Sequence, residues 1–315
     1  MALNNKISYL MNKSLTILAL TALLVGAVYI STQSNKDTAF EEWKAQYGAN
    51  WAASEEEYRR IVFARNVEKI NKHNADKTQT YTMGINQFTA MTQEEFVNTY
   101  LDPKPEVAAP VETEHPIVGD VDWTTQGKVS PVKNQGQCGS CWAFSTTGVL
   151  ESWSLIKGQS VSLSEQQLVD CSRSYGNQGC QGGWPSSALN YVKDHGITTE
   201  SAYPYVGQNK ACGTNGGSFK ISSYASYSGC NGLSSAINGK PISVTVDATN
   251  WSPYKSGIFN NCGASINHAV LLVGVVGGAW KIKNSWGTGW GEQGFIRLAS
   301  GNTCGVCAYA GVAPN

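Results

Sequence analysis

Apolar positions change their spacing several times along this 315-residue chain, and each change predicts a different element. Ser14 to Ile30 is a 17-residue stretch without charge, behind Lys13 and ahead of the polar run 31–36. Its length exceeds many signal-peptide cores and falls slightly short of a comfortable membrane span. Two readings stand: a cleaved signal over 1–30, with Val25 and Ala27 suiting cleavage after Ala27, and a retained signal-anchor. Met11 is a second candidate start, since 11–35 alone make a complete signal. From 36 to 100 the chain reads as helical and surface-like. Phe40, Trp43 and Tyr47 recur at steps of three and four, drawing one apolar stripe. Glu55, Arg59, Phe63, Asn66, Ile70 and Asn74 follow at steps of 4, 4, 3, 4 and 4. All six fall on one face of a helix roughly 30 Å long at about 1.5 Å per residue.

Residues 102–116 are Pro-rich, polar and without periodicity, which predicts a linker. Helical spacing returns from Cys141 to about residue 157, then near Ser164–Cys171 and Trp184–His195. After Phe219 the character changes: 241–247, 269–274, 279–283 and 294–298 read as strands rich in β-branched residues. Helices first and strands later predict an α+β arrangement in two lobes, helical over about 127–222 and strand-rich over about 223–308. No internal repeat, P-loop or Gly-rich dinucleotide fingerprint is present.

Charge adds a division to this picture. Lys plus Arg equal Asp plus Glu at 23 each, so no global charge argues for nucleic acid or an anionic membrane. Residues 36–115 nevertheless carry 9 basic and 14 acidic side chains, and 116–315 carry 12 and 9. An acidic segment ahead of a mildly basic remainder suggests two parts that associate. All nine cysteines lie after residue 137, which points to an oxidising compartment, and an odd count leaves one thiol over.

The sharpest chemistry sits in Gln135-Gly-Gln-Cys-Gly-Ser-Cys-Trp-Ala-Phe-Ser145. Cys141 opens the helical stretch, where the macrodipole and unsatisfied N–H groups favour thiolate over thiol. Gln135 supplies an amide donor for a developing oxyanion. A thiolate nucleophile needs a base, and the base needs a partner to hold its tautomer. Of four histidines, His73 and His115 lie in the acidic segment and linker, and His195 precedes Gly196 at a helix end, where it reads as structural. His268 stands at the mouth of an apolar strand, and Asn284-Ser-Trp-Gly-Thr-Gly-Trp-Gly291 begins 16 residues later. Cys138-x-x-Cys141 is also half of a zinc ribbon. No second C-x-x-C follows at ribbon spacing, and Cys304-x-x-Cys307 lies far away, so neither metal nor cofactor is expected.

Residues 138–142 match the C-G-[SA]-C-[WY] signature around the nucleophile of papain and the cathepsins. The six-residue stripe from Glu55 to Asn74 reproduces the ERFNIN pattern of cathepsin L-like propeptides. Gly84-Ile-Asn-Gln-Phe88 resembles their G-x-N-x-F-x-D element, with Ala90 where the acid would stand. The chain thus resembles, over about 37–315, a papain-like cysteine protease of the cathepsin L-like subfamily. The resemblance implies a two-lobed papain-like α+β fold behind a mainly helical propeptide of the I29 type at 36–101. It also implies an activation linker at 102–117, with a mature N-terminus between about 113 and 118, and a catalytic domain at 118–315. Cys141 becomes nucleophile, His268 base and later acid, Asn284 orienter and Gln135 oxyanion donor, with Trp286 shielding the Asn–His bond. Expected pairings are Cys138–Cys180, Cys171–Cys212, Cys262–Cys304 and an extra Cys230–Cys307, with Cys307 as the alternative partner of Cys262.

Within the implied cleft, Gly182 and Gly183 are bare strip positions against which an extended peptide can pair. Trp184, Pro185, Thr245, Ile266 and Asn267 map to the substrate-binding walls, with Trp286 beside them and Tyr309 or Ala310 as the floor of the S2 pocket. No acidic residue is among them, so an apolar P2 residue is expected. Cys180 and Pro241 are 61 residues apart, leaving no room for a long occluding loop and favouring an endopeptidase. The resemblance implies polypeptide substrates, the chain's own propeptide and cystatin-like inhibitors as partners, no nucleic acid, and a monomer. It places the protein in the secretory pathway, bound for a lysosome-like or food-vacuole-like compartment or the exterior. A non-catalytic homologue would lose Cys, His or Asn, and a transglutaminase or acyltransferase would want Asp at 284; this chain does neither.

Overall fold

The computed structural model describes residues 37–101, 106–107, 119–214, 216–263 and 265–315. The N-terminal apolar stretch and the expected cleavage zone, apart from 106–107, lie outside them. The chain divides into two compact units, one ending at Val67 and one beginning at Glu68. In the first, a helix over 37–47 (α1) and the start of α2 (Ala53–Ala75) enclose an aromatic cluster. Phe40, Trp43 and Phe63 are buried, with ring centroids 5.5 to 6.0 Å apart. Arg59 donates to Glu55 at 2.8 Å one helical turn away, the spacing at which side chains on a helix meet.

The second unit opens with the end of α2. Asn74 clamps β1 (Tyr81–Met83) twice: its Nδ2 donates to the Met83 carbonyl and its Oδ1 accepts from the Met83 N–H, both at 2.9 Å. Ile70 is buried in the core beneath. The expectation of a helical, surface-like segment to residue 100 is corrected here. Residues 81–83 form a strand paired with β6 (Tyr254–Phe259), and helix resumes only at α3 (Gln93–Tyr100). Tyr81, Met83, Phe88 and Phe96 are buried against the strand-rich core. Their spacing shows no period because turns, not one helix, bring them together. Thr92 starts α3 with a capping box closed by Glu95.

Helix α4 (Cys141–Ile156) is buried on nearly every side, as expected of a central helix. It packs on β8 (His268–Val276), whose unbroken apolar run suits a strand covered on both faces. At Gly148 an added Cβ would stand 3.3 Å from Leu271. Ser145 Oγ reaches the Val270 carbonyl at 2.7 Å, tying helix to strand. Helices α5 (Glu165–Cys171) and α6 (Pro185–His195) complete the helical core with Leu168, Leu189 and Val192.

Among the described residues the main sheet runs β1-β6-β10-β9-β8-β5-β11-β4. The strands not yet named are β4 (Tyr224–Tyr227), β5 (Ile242–Val246), β9 (Ala279–Lys283), β10 (Phe295–Leu298) and β11 (Gly311–Pro314). Only β10 and β6 pair in parallel, and β3 (Val121–Asp122) joins β8 off this path. A short pair joins β2 (Glu106–Val107) to β7 (Ser265–Ile266). A helix, α7 (Gly229–Ala236), follows β4, where two glycines and two serines in eight residues hide helical spacing. Two buried cores result, one under α4–α6 and one around Trp251, Trp280, Trp286 and Trp290. Cys138–Cys180 and Cys171–Cys212 staple the helical part, Cys262–Cys304 and Cys230–Cys307 the strand-rich part. Cys141 is the cysteine outside these bonds.

Candidate active site

The disulfide from Cys138 and a bond from Gly139 N–H to the Cys180 carbonyl at 3.0 Å fix the approach to α4. That puts Cys141, 2% exposed, at the first helical position. Across from it, β8 begins with His268, and β9 ends one residue before Asn284. Cys141 and His268 line one cavity together with Gly183, Trp184, Thr245, Ile266, Asn267 and Ala269.

His268 Nε2 lies 2.7 Å from Asn284 Oδ1. The same oxygen accepts the Ser285 backbone N–H at 2.8 Å. A backbone N–H can only donate, so the side-chain atom facing it is the oxygen, and Nε2 must carry the proton. The lone pair is left on Nδ1, which makes no hydrogen bond. Trp286 stacks on the imidazole at 4.8 Å and Trp251 meets it edge-on at 6.2 Å. This burial pulls the histidine pKa down to about 4, against a small upward pull from Asn284. In this state the ring is neutral over most of the physiological range.

Gln135 is fully buried. Its Oε1 accepts from Ser285 Oγ at 2.7 Å, while its Nε2 donates to the Cys138 carbonyl at 3.0 Å and the Tyr100 carbonyl at 3.1 Å. The reverse amide orientation would set oxygen against two carbonyls. The N–H that the sequence offers to an oxyanion therefore already holds a carbonyl from the end of α3. The same upstream segment covers Trp286: Phe88 and Phe96 meet its ring edge-on at 5.4 and 5.2 Å. Gln87 donates to the Trp286 carbonyl at 2.8 Å.

Other expected cleft residues are placed differently. Gly182, Pro185, Trp286 and Tyr309 stand outside the lining of the shared cavity. Pro185 is buried at the first turn of α6, and Trp286 is only 1% exposed. The Tyr309 ring lies 5.5 Å from that of Trp184, with Ala310 exposed beside it. Gly183 is needed for a reason unlike the one its sequence suggested. An added Cβ would come within 2.5 Å of Asn177 and 2.9 Å of Trp142, so the close approach is inward. His195 closes α6 with its ring 5.1 Å from that of Tyr191.

Sequence reasoning missed a buried charge cluster behind the site. Lys133 Nζ bonds Glu151 at 2.8 Å and Glu165 at 2.7 Å, and Lys283 reaches Ser130 Oγ at 3.0 Å. Ser130 in turn donates to Glu151. Burial raises the Glu165 carboxyl, with Lys133 opposing, and lowers Lys283 to about 8. One signal was present: Glu151 is the only charged residue of the buried helix α4, and such a residue implies a buried partner. Ser285 and Tyr205, both hydrogen-bonded to Gln135, carried no comparable mark.

The description "Papain family cysteine protease" matches residues 117–313, and "Cathepsin propeptide inhibitor domain (I29)" matches 40–96. Cathepsin L 2 of Paramecium tetraurelia is 41% identical over 294 residues, covering 89% of this chain and 93% of that protein. Digestive cysteine proteinase 2 of Homarus americanus is 41% identical over 307 residues, covering 86% and 93%. Digestive procathepsin L 3 from the larval midgut of Tenebrio molitor superposes with a TM-score of 0.79 at 39% identity, covering 89% of this chain and 98% of that one. The chain belongs to the papain family of cysteine proteases, as a cathepsin L-like zymogen with its inhibitory propeptide attached.

Proposed function

We propose that this zymogen matures into an endopeptidase in which Cys141 is the nucleophile and His268 its base and later acid. Asn284 orients the imidazole, and the Gln135 amide with the Cys141 N–H forms the oxyanion hole. One observation carries the reading: His268, its Nε2 proton committed to Asn284 at 2.7 Å, shares a cavity with Cys141. The Cys141 thiol gives its proton to Nδ1, and the thiolate adds to a peptide carbonyl carbon. The oxyanion then collapses, the C–N bond breaks, and the imidazolium protonates the leaving amine. Water deprotonated by Nδ1 displaces the thiolate from the thioester and releases the acid.

Latency follows from the same atoms. The Tyr100 carbonyl takes the Gln135 donor, and Phe88 and Phe96 keep the Trp286–His268 stack dry. Residues 36–101 are the inhibitory segment, released by cleavage within 102–117 at acid pH, and 118–315 the enzyme. The Trp184–Tyr309 contact narrows the substrate-binding side, so apolar P2 residues of modest size are preferred. The mature enzyme is a monomer open to cystatin-like inhibitors and works in a lysosome-like or food-vacuole-like compartment or outside the cell.

Titration of the processed protein with an epoxide thiol-protease inhibitor, beside Cys141→Ala, tests this. One equivalent should label Cys141 and abolish cleavage of a fluorogenic peptide, with neither label nor cleavage in the variant. Labelling without any peptide cleavage would overturn it, as would best cleavage after P2 Arg for the pocket.

A further inference from the structure

Tyr205 bonds both Gln135 and the residue that precedes Cys141, and nothing in the reaction yet uses it. Its hydroxyl donates to the Gln135 carbonyl at 2.7 Å and meets Ser140 Oγ at 2.7 Å. Ser140 is the N-cap of α4, immediately before Cys141, yet its side chain caps no N–H of that helix. A serine at this position ordinarily accepts a first-turn N–H. Here its hydroxyl is engaged by the phenol, and the first-turn N–H groups stay clear of a side-chain cap.

The phenol is itself held from behind. Tyr205 N–H donates to Glu200 Oε1 at 2.8 Å, and the next N–H, of Val206, donates to Gln166 Oε1 at 2.9 Å. Phe144, one turn into α4, meets the ring edge-on at 4.9 Å. Gln135 is thus gripped on two sides: Ser285 bonds its amide oxygen and accepts its backbone N–H at 2.9 Å, and Tyr205 ties its carbonyl to the start of the nucleophile helix.

We propose that Tyr205 is a positioning residue for the oxyanion hole, fixing the Gln135 amide relative to the Cys141 N–H. The inference rests on the roles given to Gln135 and Cys141 above. Donors aimed where charge develops act because they need not move during reaction. Gln135 stands on a loop, and a loop donor keeps its aim only if something rigid holds it.

Full-length Tyr205→Phe, Gln135→Ala and the double variant are processed with an added aspartic protease, so that activation does not depend on their own activity. Three quantities are read: kcat and KM on a fluorogenic peptide, affinity for a peptide aldehyde of matching sequence, and the rate and pH profile of alkylation by iodoacetamide. The aldehyde adduct places an oxygen in the hole, whereas displacement of iodide places none. Tyr205→Phe should lower kcat and aldehyde affinity together by roughly tenfold, as for one lost hydrogen bond, with KM and alkylation unchanged. In the Gln135→Ala background it should cost little more, because the two act as a unit. Equal losses in alkylation and aldehyde binding would overturn the inference, as would no change in either. If Gln135→Ala leaves aldehyde affinity intact, the oxyanion-hole assignment itself fails. If Gln135→Ala weakens it and Tyr205→Phe does not, only the role of Tyr205 fails.

Discussion

Lys283 and Asn284 are neighbours in the chain, yet they belong to buried polar assemblies of opposite character. Behind the site, two lysines and two glutamates balance in charge, and nearly every polar atom has a partner. The oxygen left over, Glu165 Oε2, sits on the carboxyl whose pKa burial raises. In front, His268 Nδ1, Asn284 Nδ2 and Trp286 Nε1 all lack hydrogen bonds. Unpaired buried polar atoms are costly, so native structures satisfy nearly all of them. A saturated cluster holds strands in place. An unsaturated one is set up to take a proton from, or lend one to, a group that is still to come.

Removing His268 should show the contrast most sharply. His268→Ala, processed by an added protease, is expected to lose at least about 10³-fold in kcat/KM on a fluorogenic peptide. Its urea midpoint as an unprocessed Cys141→Ala zymogen should shift less than that of Lys133→Met. The lysine substitution removes the ion pairs to both Glu151 and Glu165 and leaves one buried lysine against two carboxyls, an effect of about 3–5 kcal/mol. If Lys133→Met unfolds no more easily than His268→Ala, the saturated cluster is not the structural one.

Acid should separate the two assemblies next. The folded His268 pKa, about 4, lies below its ordinary value of 6.5. The folded latent state therefore binds fewer protons than the unfolded chain between these limits. Its stability is full above about pH 6.5, falls as pH drops toward 4, and has by then lost about 3 kcal/mol from this group. Glu165 runs the other way: its raised pKa makes the folded state bind more protons, so acid stabilises the cluster above its ordinary value of 4.5. Denaturant midpoints of the Cys141→Ala zymogen from pH 7 to 4 should fall, and those of Cys141→Ala/His268→Gln should fall less. Parallel curves for the two would remove His268 from acid release. The asymmetry matters because Ala90 supplies no carboxylate at the end of the Gly84–Phe88 motif.

What the sequence could reveal follows the same division. Cys141, His268 and Asn284 were legible as candidates because the chemistry proposed for them narrows the residue types that can serve, whatever the neighbourhood. The helix from Ala53 to Ala75 was legible because its stripe keeps one period. The turns over 84–92 and the strand Tyr81–Met83 have no period of their own; they are ordered by Asn74 and by pairing with Tyr254–Phe259. Gln135 was visible as a donor, but not that Tyr100, Ser285 and Tyr205 would each bond it. Hydrogen bonds between residues 35 to 150 positions apart leave no mark on local pattern. Tyr309 and Ala310 could not be told apart by sequence because a one-residue register near the C-terminus is set by packing, such as that of the Tyr309 ring on Trp184.

The rim of the cavity should give the smallest effect, and one confined to selectivity. The Tyr309 ring meets Trp184 at 5.5 Å, and Trp184 lines the cavity together with Thr245 and Ile266. Removing the ring enlarges the space beside Trp184. Tyr309→Ala should therefore leave kcat for the best small-P2 peptide nearly unchanged and improve kcat/KM for Leu or Phe at P2 several-fold. That scale matches the roughly 1–3 kcal/mol a hydrophobic pocket gains or loses per methylene-sized change. A peptide panel varied only at P2 reads it directly. Equal gains at every P2 residue would mean the ring limits access to the cleft and not the pocket. A fall in kcat with all of them would mean that rim and proton-transfer site are one unit, and the line drawn between them would have to move outward to include Tyr309.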